Sequence, residues 1–245
     1  MTMKHTELYT QISVLSILSP DCSMEAGSPV AGTSSHNGGQ VRRLLDDFFA
    51  GTEIGSGYSV FSGTSGRPFI QMGKDIDKAF SADFNISHSK EALAVFVVLG
   101  LSSPKISVGC DIECIRPRAS RLDIAREWFC PQESQWILAG NANERVERFY
   151  RIWTAKEAWL KFWGKSIFDI SSAPAFSPIP QGEIPCLHFH QFLLQSPAQN
   201  SYVLTAVAPF SVSEASLFLG DGWRLRSREQ IYAAESPMST VSPKI

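Results

Sequence analysis

Val108-Gly109-Cys110-Asp111-Ile112-Glu113, preceded by Ile106-Ser107 and followed by Cys114, is the stretch on which the reading turns. Its apolar residues fall on alternate positions. In an extended strand Ile106, Val108, Cys110, Ile112 and Cys114 share one face, and Ser107, Gly109, Asp111 and Glu113 the other. The apolar face predicts a half-buried strand. The polar face sets two carboxylates side by side, because residues two apart on a strand point the same way. Adjacent carboxylates repel unless a cation or a proton lies between them.

A third carboxylate stands in Trp153-Thr154-Ala155-Lys156-Glu157-Ala158-Trp159-Leu160-Lys161. The periodicity predicts one amphipathic helix over 144–163, ended by Gly164. Val146, Phe149, Tyr150, Trp153 and Leu160 form its apolar stripe, and Glu157 falls inside that stripe. A charge on an apolar stripe needs a partner. Two readings are open. One is a Glu157–Lys161 pair one turn apart at the stripe edge. The other has Glu157 facing Asp111 and Glu113, a set of oxygen ligands that suits Mg²⁺ with waters and substrate phosphates in the remaining positions.

The chain has 245 residues, 44% hydrophobic and 19% charged, enough for one large domain or two small ones. A net charge of −2 excludes a global basic field for nucleic acid. Cys22, Cys110, Cys114, Cys130 and Cys186 are odd in number and lack paired spacing, which predicts reduced thiols in a cytoplasmic protein. The apolar run at 92–100 is too short to span a bilayer and reads as a buried strand. Residues 8–18 read as an opening strand rather than a secretory signal.

Residues 19–39 are rich in Ser, Gly, Pro and Thr and predict a loop. A short helix is expected over 41–49, strands over 58–61 and 68–72, and a polar loop or strand-edge turn at 85–89. Helices follow at 121–129 and 132–138, then strands over 186–194, 202–207 and 215–219. The mixture predicts an α+β fold. Asn85-Ile86-Ser87-His88-Ser89 groups hydroxyls and an imidazole suited to a phosphate oxygen, although a lone His in a polar stretch is more often solvated. His188 and His190 read as ordinary strand residues.

Taken together and in this order, Phe84-Asn85-Ile86-Ser87-His88-Ser89, the Asp/Glu strand and the Trp-Thr-Ala-Lys-Glu-Ala-Trp helix resemble the 4'-phosphopantetheinyl transferase family. The resemblance is to its pseudodimeric, surfactin-synthetase-type branch, and in detail to an enteric second holo-acyl-carrier-protein synthase subgroup. It covers about residues 41–164. It implies two similar α+β halves with the active site in the cleft between them: 1–107, then 108–225 carrying the metal site; the polar residues 226–245 read, from their composition, as a mobile tail. It implies transfer of phosphopantetheine from coenzyme A to a serine of an apo acyl or peptidyl carrier protein of fatty-acid, polyketide or peptide synthesis, without nucleic acid or membrane, by a monomer.

On the same grounds Asp111, Glu113 and Glu157 would hold Mg²⁺, or Mn²⁺ in its place. Ser87, His88 and Lys161 would contact the coenzyme A phosphates, and Arg67, with Arg42, the 3'-phosphate. Glu157 is expected to take the serine proton, directly or through water, with Lys161 and His88 stabilising charge. Arg116, Arg118, Arg121 and Arg126 are a candidate docking patch for an acidic carrier. One departure is that no Lys or Arg occurs between Lys4 and Arg42. That keeps open a paralogue that binds carrier or coenzyme A with little transfer. An unrelated metal-dependent phosphohydrolase is a third reading.

Overall fold

The computed structural model of the protein describes residues 12–18, 35–63, 67–101, 106–177, 187–210 and 217–233. In chain order its elements are β1 (Ile12–Leu18), α1 (Ser35–Ala50), β2 (Tyr58–Ser62), β3 (Pro68–Met72), β4 (Phe80–Ser89), β5 (Ala92–Leu101) and β6 (Gly109–Cys114). Then come α2 (Arg121–Trp128), α3 (Pro131–Leu138), α4 (Ala142–Phe162), a 3-10 turn at Ile167–Ser172, β7 (Phe176–Ser177), β8 (His188–Gln195), β9 (Ser201–Ala208), β10 (Leu217–Leu219) and β11 (Arg224–Ala233).

The strands form two sheets and a separate β2–β3 hairpin: β10-β1-β5-β4, and β6-β9-β8-β11-β7. Every pairing is antiparallel except that of β1 with β10. With helices between the strands, the chain is α+β, as its pattern predicts. The sheets pack face to face. Ala92, Ala94, Phe96 and Val98 of β5 meet Cys110, Ile112 and Cys114 of β6 and Leu204 and Ala206 of β9 in one buried cluster. The other face of β5 (Leu93, Val95, Val97, Leu99) packs under Val41, Leu45 and Phe49 of α1. Burial on both faces explains why β5 is apolar throughout instead of alternating. On the far side, α4 covers Phe189, Val203 and Val207 of the second sheet with Phe149, Ile152, Ala155 and Ala158.

Helix α4 is defined at both ends by its own sequence. Asn141 accepts from the N–H groups of Asn143 and Glu144, and Glu144 returns a bond to the Asn141 N–H. Gly164, at φ +65°, takes the left-handed position that follows the helix. Lys165 N–H then bonds Leu160 O at 2.8 Å and Gly164 N–H bonds Lys161 O at 3.2 Å, closing the last turn.

Three expectations need correction. Residues 85–89 are not a loop or turn but the end of the ten-residue strand β4, because each alternate polar side chain finds a partner on the facing segment. Residues 226–233 do not begin a tail: they lie in β11, which pairs with β8 over Arg224–Ile231, while 234–245 fall outside the described residues. β10, from the later part of the chain, pairs with β1 in the first sheet. Helix α1 starts at Ser35, inside the stretch read as loop. Of the expected loop and strand residues, 8–11, 19–34, 186 and 215–216 fall outside the described residues.

Candidate functional site

β6 is the edge of the second sheet, so among the described residues one side of its backbone has no strand partner. Unpaired backbone groups at a buried edge are costly. Here side chains of β4, spaced two apart, satisfy them. Ile106 N–H donates to Ser81 Oγ at 3.2 Å, Val108 N–H to Asp83 Oδ2 at 2.9 Å, Cys110 N–H to Asn85 Oδ1 at 3.1 Å and Cys114 N–H to Ser89 Oγ at 3.1 Å. The same seam fixes both strand carboxylates. Ser87 Oγ donates to Asp111 Oδ1 at 2.7 Å, and Ser89 Oγ donates to Glu113 Oε2 at 2.8 Å.

Helix α4 closes over the polar face of β6, and Gly109 is what lets it. A Cβ at position 109 would lie 2.1 Å from Ala158 O and 2.8 Å from Phe162 N, both backbone atoms that cannot swing away. Gly109→Ala is therefore expected to push α4 off the strand and to cost about 3 kcal/mol in chemical denaturation; an unchanged unfolding midpoint would refute this close approach. Thr154 of α4 meets Thr205 of β9 hydroxyl to hydroxyl at 2.7 Å, and Gln191 donates to Thr205 Oγ1 at 3.0 Å. Thr205 is the register partner of Asp111, so this buried network fixes α4 beside the carboxylates.

The result is a strand-and-helix cluster. Lys161 Nζ pairs with Asp111 Oδ1 at 2.8 Å, the lysine side chain 28% and the aspartate 7% exposed. The helical neighbour Glu157 is not its bonded partner: Lys161 reaches across to the more buried carboxylate instead. Burial opposes the ammonium charge, but Asp111, with Cys110 and Glu157, outweighs it and raises the Lys161 pKa. Glu157 is pushed up to about 7 by burial first, then by Asp111 and Glu113, against the pull of Lys161. Glu113 is raised as well, chiefly by burial, with Ser89 holding it down and Asp111 adding to the rise.

Among the described residues, no three Asp, Glu, His or Cys side chains stand close enough to hold a metal ion as placed. The donor chemistry nevertheless fits a hard dication. Among the described residues Asp111 Oδ2 is buried with no hydrogen-bond partner, and the Asp111 charge adds to the burial that raises the pKa of both Glu113 and Glu157, the sign of surplus negative charge.

The other candidates lie elsewhere or serve the fold. Ser87 is buried against Asp111, so it faces the carboxylate rather than an open phosphate site. His88 is exposed and, one position along β4, alternates away from Ser87 and Ser89. Arg42 bonds Asp46 at 3.1 Å on α1, and its guanidinium lies 5.0 Å from the centre of the Tyr58 ring. Arg67 is bonded to Asp83, Val108 O and the end of α4, and so is placed between the sheets rather than presented to a 3'-phosphate. Arg121 is buried and donates to the carbonyls of Arg116 and Arg118, which removes it from the docking patch. Sequence reasoning missed Ser81, Asp83 and Thr205, and it quoted Ser89 and Thr154 in motifs without their bonding roles; the period-two polar residues of β4 were the available signal.

Comparison with known proteins now adds to this geometry. Residues 107–207, which hold β6, α4, β8 and most of β9, match the 4'-phosphopantetheinyl transferase superfamily. Among curated proteins, the chain is similar to the 4'-phosphopantetheinyl transferase AcpT of Escherichia coli K12, with 38% identity over 109 residues, 43% of this chain and 53% of the relative. It is similar to the 4'-phosphopantetheinyl transferase gsp of Aneurinibacillus migulanus, with 35% identity over 105 residues, 42% of this chain and 37% of the relative. A putative 4'-phosphopantetheinyl transferase of Synechocystis sp. matches at 37% over 84 residues, 34% of this chain and 32% of the relative. The chain thus spans about half the length of AcpT and about a third of the other two. The resemblance read in the three motifs agrees with these matches.

Proposed function

We propose that the chain transfers 4'-phosphopantetheine from coenzyme A to a serine hydroxyl of an apo acyl or peptidyl carrier protein, leaving adenosine 3',5'-bisphosphate. One observation carries the reading: Glu157 and the Asp111–Lys161 ion pair stand together, from one helix and one strand, inside the segment that matches the superfamily. A carboxyl with a pKa of about 7 is matched to proton transfer at neutral pH.

In this mechanism Glu157 takes the proton from the serine Oγ as that oxygen bonds the phosphorus bearing pantetheine. The bond to the adenylate-side phosphate oxygen breaks, and its electron pair leaves with the bisphosphate. Lys161 supplies a positive charge beside the transferring phosphate. Asp111, Glu113 and Glu157 would hold Mg²⁺ or Mn²⁺, which when bound neutralises the pyrophosphate. Arg116, Arg118 and the exposed Arg126, which follow β6, are the remaining candidates for steering an acidic carrier. We also propose a cytoplasmic monomer, with Cys110 and Cys114 as buried free thiols. No helix among the described residues is long and apolar enough to cross a membrane.

The direct test incubates the chain with coenzyme A, Mg²⁺ and apo carriers of the fatty-acid, polyketide and peptide-synthetase kinds, and reads each carrier's mass. A gain of one phosphopantetheine, lost when Mg²⁺ is chelated, is expected. A folded chain that modifies none of them opposes transfer. The internal bonding of Arg42 and Arg67, which leaves the coenzyme A 3'-phosphate without those two contacts, favours a second reading, a carrier binder with little turnover. Calorimetry would then detect carrier binding without any mass gain.

A further inference from the structure

The guanidinium of Arg67 lies where three elements meet. Its Nη2 donates to Asp83 Oδ2 of β4 at 2.7 Å and to Val108 O, just before β6, at 3.0 Å. Its Nη1 donates to Lys161 O and, at 3.5 Å, to Phe162 O in the last turn of α4. Carbonyls at a helix end lack intrahelical partners and carry partial negative charge. A planar fork of N–H donors can serve several of them at once, whereas an ammonium is a single compact point charge. Asp83 is the counter-ion, and it also accepts the Val108 N–H at 2.9 Å. The arginine charge is therefore matched within the fold.

The elements joined here are the ones that make the site. Gly109 follows Val108 and lies against Ala158 and Phe162 of α4. Lys161, whose carbonyl Arg67 binds, sends its Nζ back to Asp111 at 2.8 Å. A shift of this turn relative to β6 would move that ammonium relative to the carboxylate.

We propose that Arg67 is a positioning residue: by fastening the carbonyls of Lys161 and Phe162 to Val108 and Asp83, it fixes the end of α4 against β6 and so the reach of Lys161 to Asp111. Its kinetic consequence rests on the transferase reading; its structural consequence does not.

The test compares Arg67→Lys and Arg67→Ala with the wild type in two measurements. One is transfer kinetics with coenzyme A and with 3'-dephospho-coenzyme A. The other is hydrogen exchange of the amides at 163–165. In Arg67→Lys, kcat is expected to fall on the order of 10–100-fold for both substrates, with KM for coenzyme A changed by no more than about threefold. The amides of Trp163, Gly164 and Lys165 should exchange faster, and added guanidinium, but not ammonium, should restore part of the Arg67→Ala rate. A raised KM with kcat intact, vanishing on 3'-dephospho-coenzyme A, would show instead that Arg67 grips the 3'-phosphate and would overturn the proposal. Unchanged exchange, or a lower melting temperature with unchanged kcat in the folded fraction, would overturn it equally. If the wild type transfers to no carrier, the transferase reading fails, and exchange alone decides the clamp.

Discussion

Glu157→Gln abolishes transfer and yet leaves the metal-free protein at least as stable as the wild type: this is the expected result of a carboxylate held where its charge is unwelcome. Burial and the neighbouring Asp111 raise its pKa from an ordinary 4.5 to about 7. The folded protein therefore holds a proton on this group between those values that the unfolded chain has released. With more protons bound when folded, stability falls as pH rises through that window, by about 3 kcal/mol in all. A glutamine has no charge to lose, so Glu157→Gln should flatten the pH dependence of urea unfolding between pH 4.5 and 7 and gain stability above it. Transfer should fall on the order of 10³-fold or more through loss of the base. Asp111→Asn should be as inactive, since it removes the partner of Lys161 and the buried oxygen without a hydrogen bond. A Glu157→Gln protein with near-wild-type turnover would remove Glu157 from the chemistry, and a pH slope no shallower than that of the wild type would remove it from the titration.

Lys156→Ala acts in the opposite sense, on stability rather than chemistry. Lys156 adjoins Glu157 but points to the other side of α4, where its ammonium pairs with Glu133 at 3.0 Å, both side chains almost fully buried at 2% and 1% exposure. The ammonium also donates to Pro174 O at 3.2 Å and lies 5.5 Å from the centre of the Phe129 ring. Glu133 in turn accepts from the N–H groups of Phe176 and Cys130 at 2.8 and 2.9 Å. Removing the lysine strands a buried carboxylate, which costs about 3–5 kcal/mol, a large fraction of a typical domain's stability. Denaturant unfolding of Lys156→Ala should show that loss. The double variant Lys156→Met with Glu133→Gln should recover much of it, because the stranded charge is gone while an acceptor for a backbone N–H remains. A single variant within about 1 kcal/mol of wild type would show that the pair is not buried in solution.

Both predictions turn on how far each side chain's direction was legible. The alternation of 106–114 specified the strand, its buried face and the shared side of Asp111 and Glu113, because a two-residue period depends only on local geometry. Gly164 marked the end of α4 for the same reason, while its start at Ala142, capped by Asn141, lies two residues before the expected 144. Glu157 stood out as a charge on an apolar stripe. Its neighbour Lys156 did not, since its partner Glu133 is on another helix and nothing in the local pattern names it. Lys161 was legible as a basic residue beside the site, but its choice of Asp111 over Glu157 depended on how closely α4 approaches β6.

The polar residues of 81–89 mark the limit most clearly. In sequence Asn85, Ser87 and Ser89 look like a polar turn; in the fold they line the seam through which β4 satisfies the free edge of β6. Arg67 changes in the same way, from a candidate phosphate ligand to the fastener of the helix end. By itself, then, the sequence determined the strand and helix that carry the carboxylates, the α+β character and the motifs that resemble the transferase family. These follow from periodicity, capping and the chemistry of neighbouring residues. Only the tertiary structure decided which polar groups neutralise one another, because hydrogen bonds and ion pairs form over about 3 Å between segments whose separation along the chain says nothing of their approach.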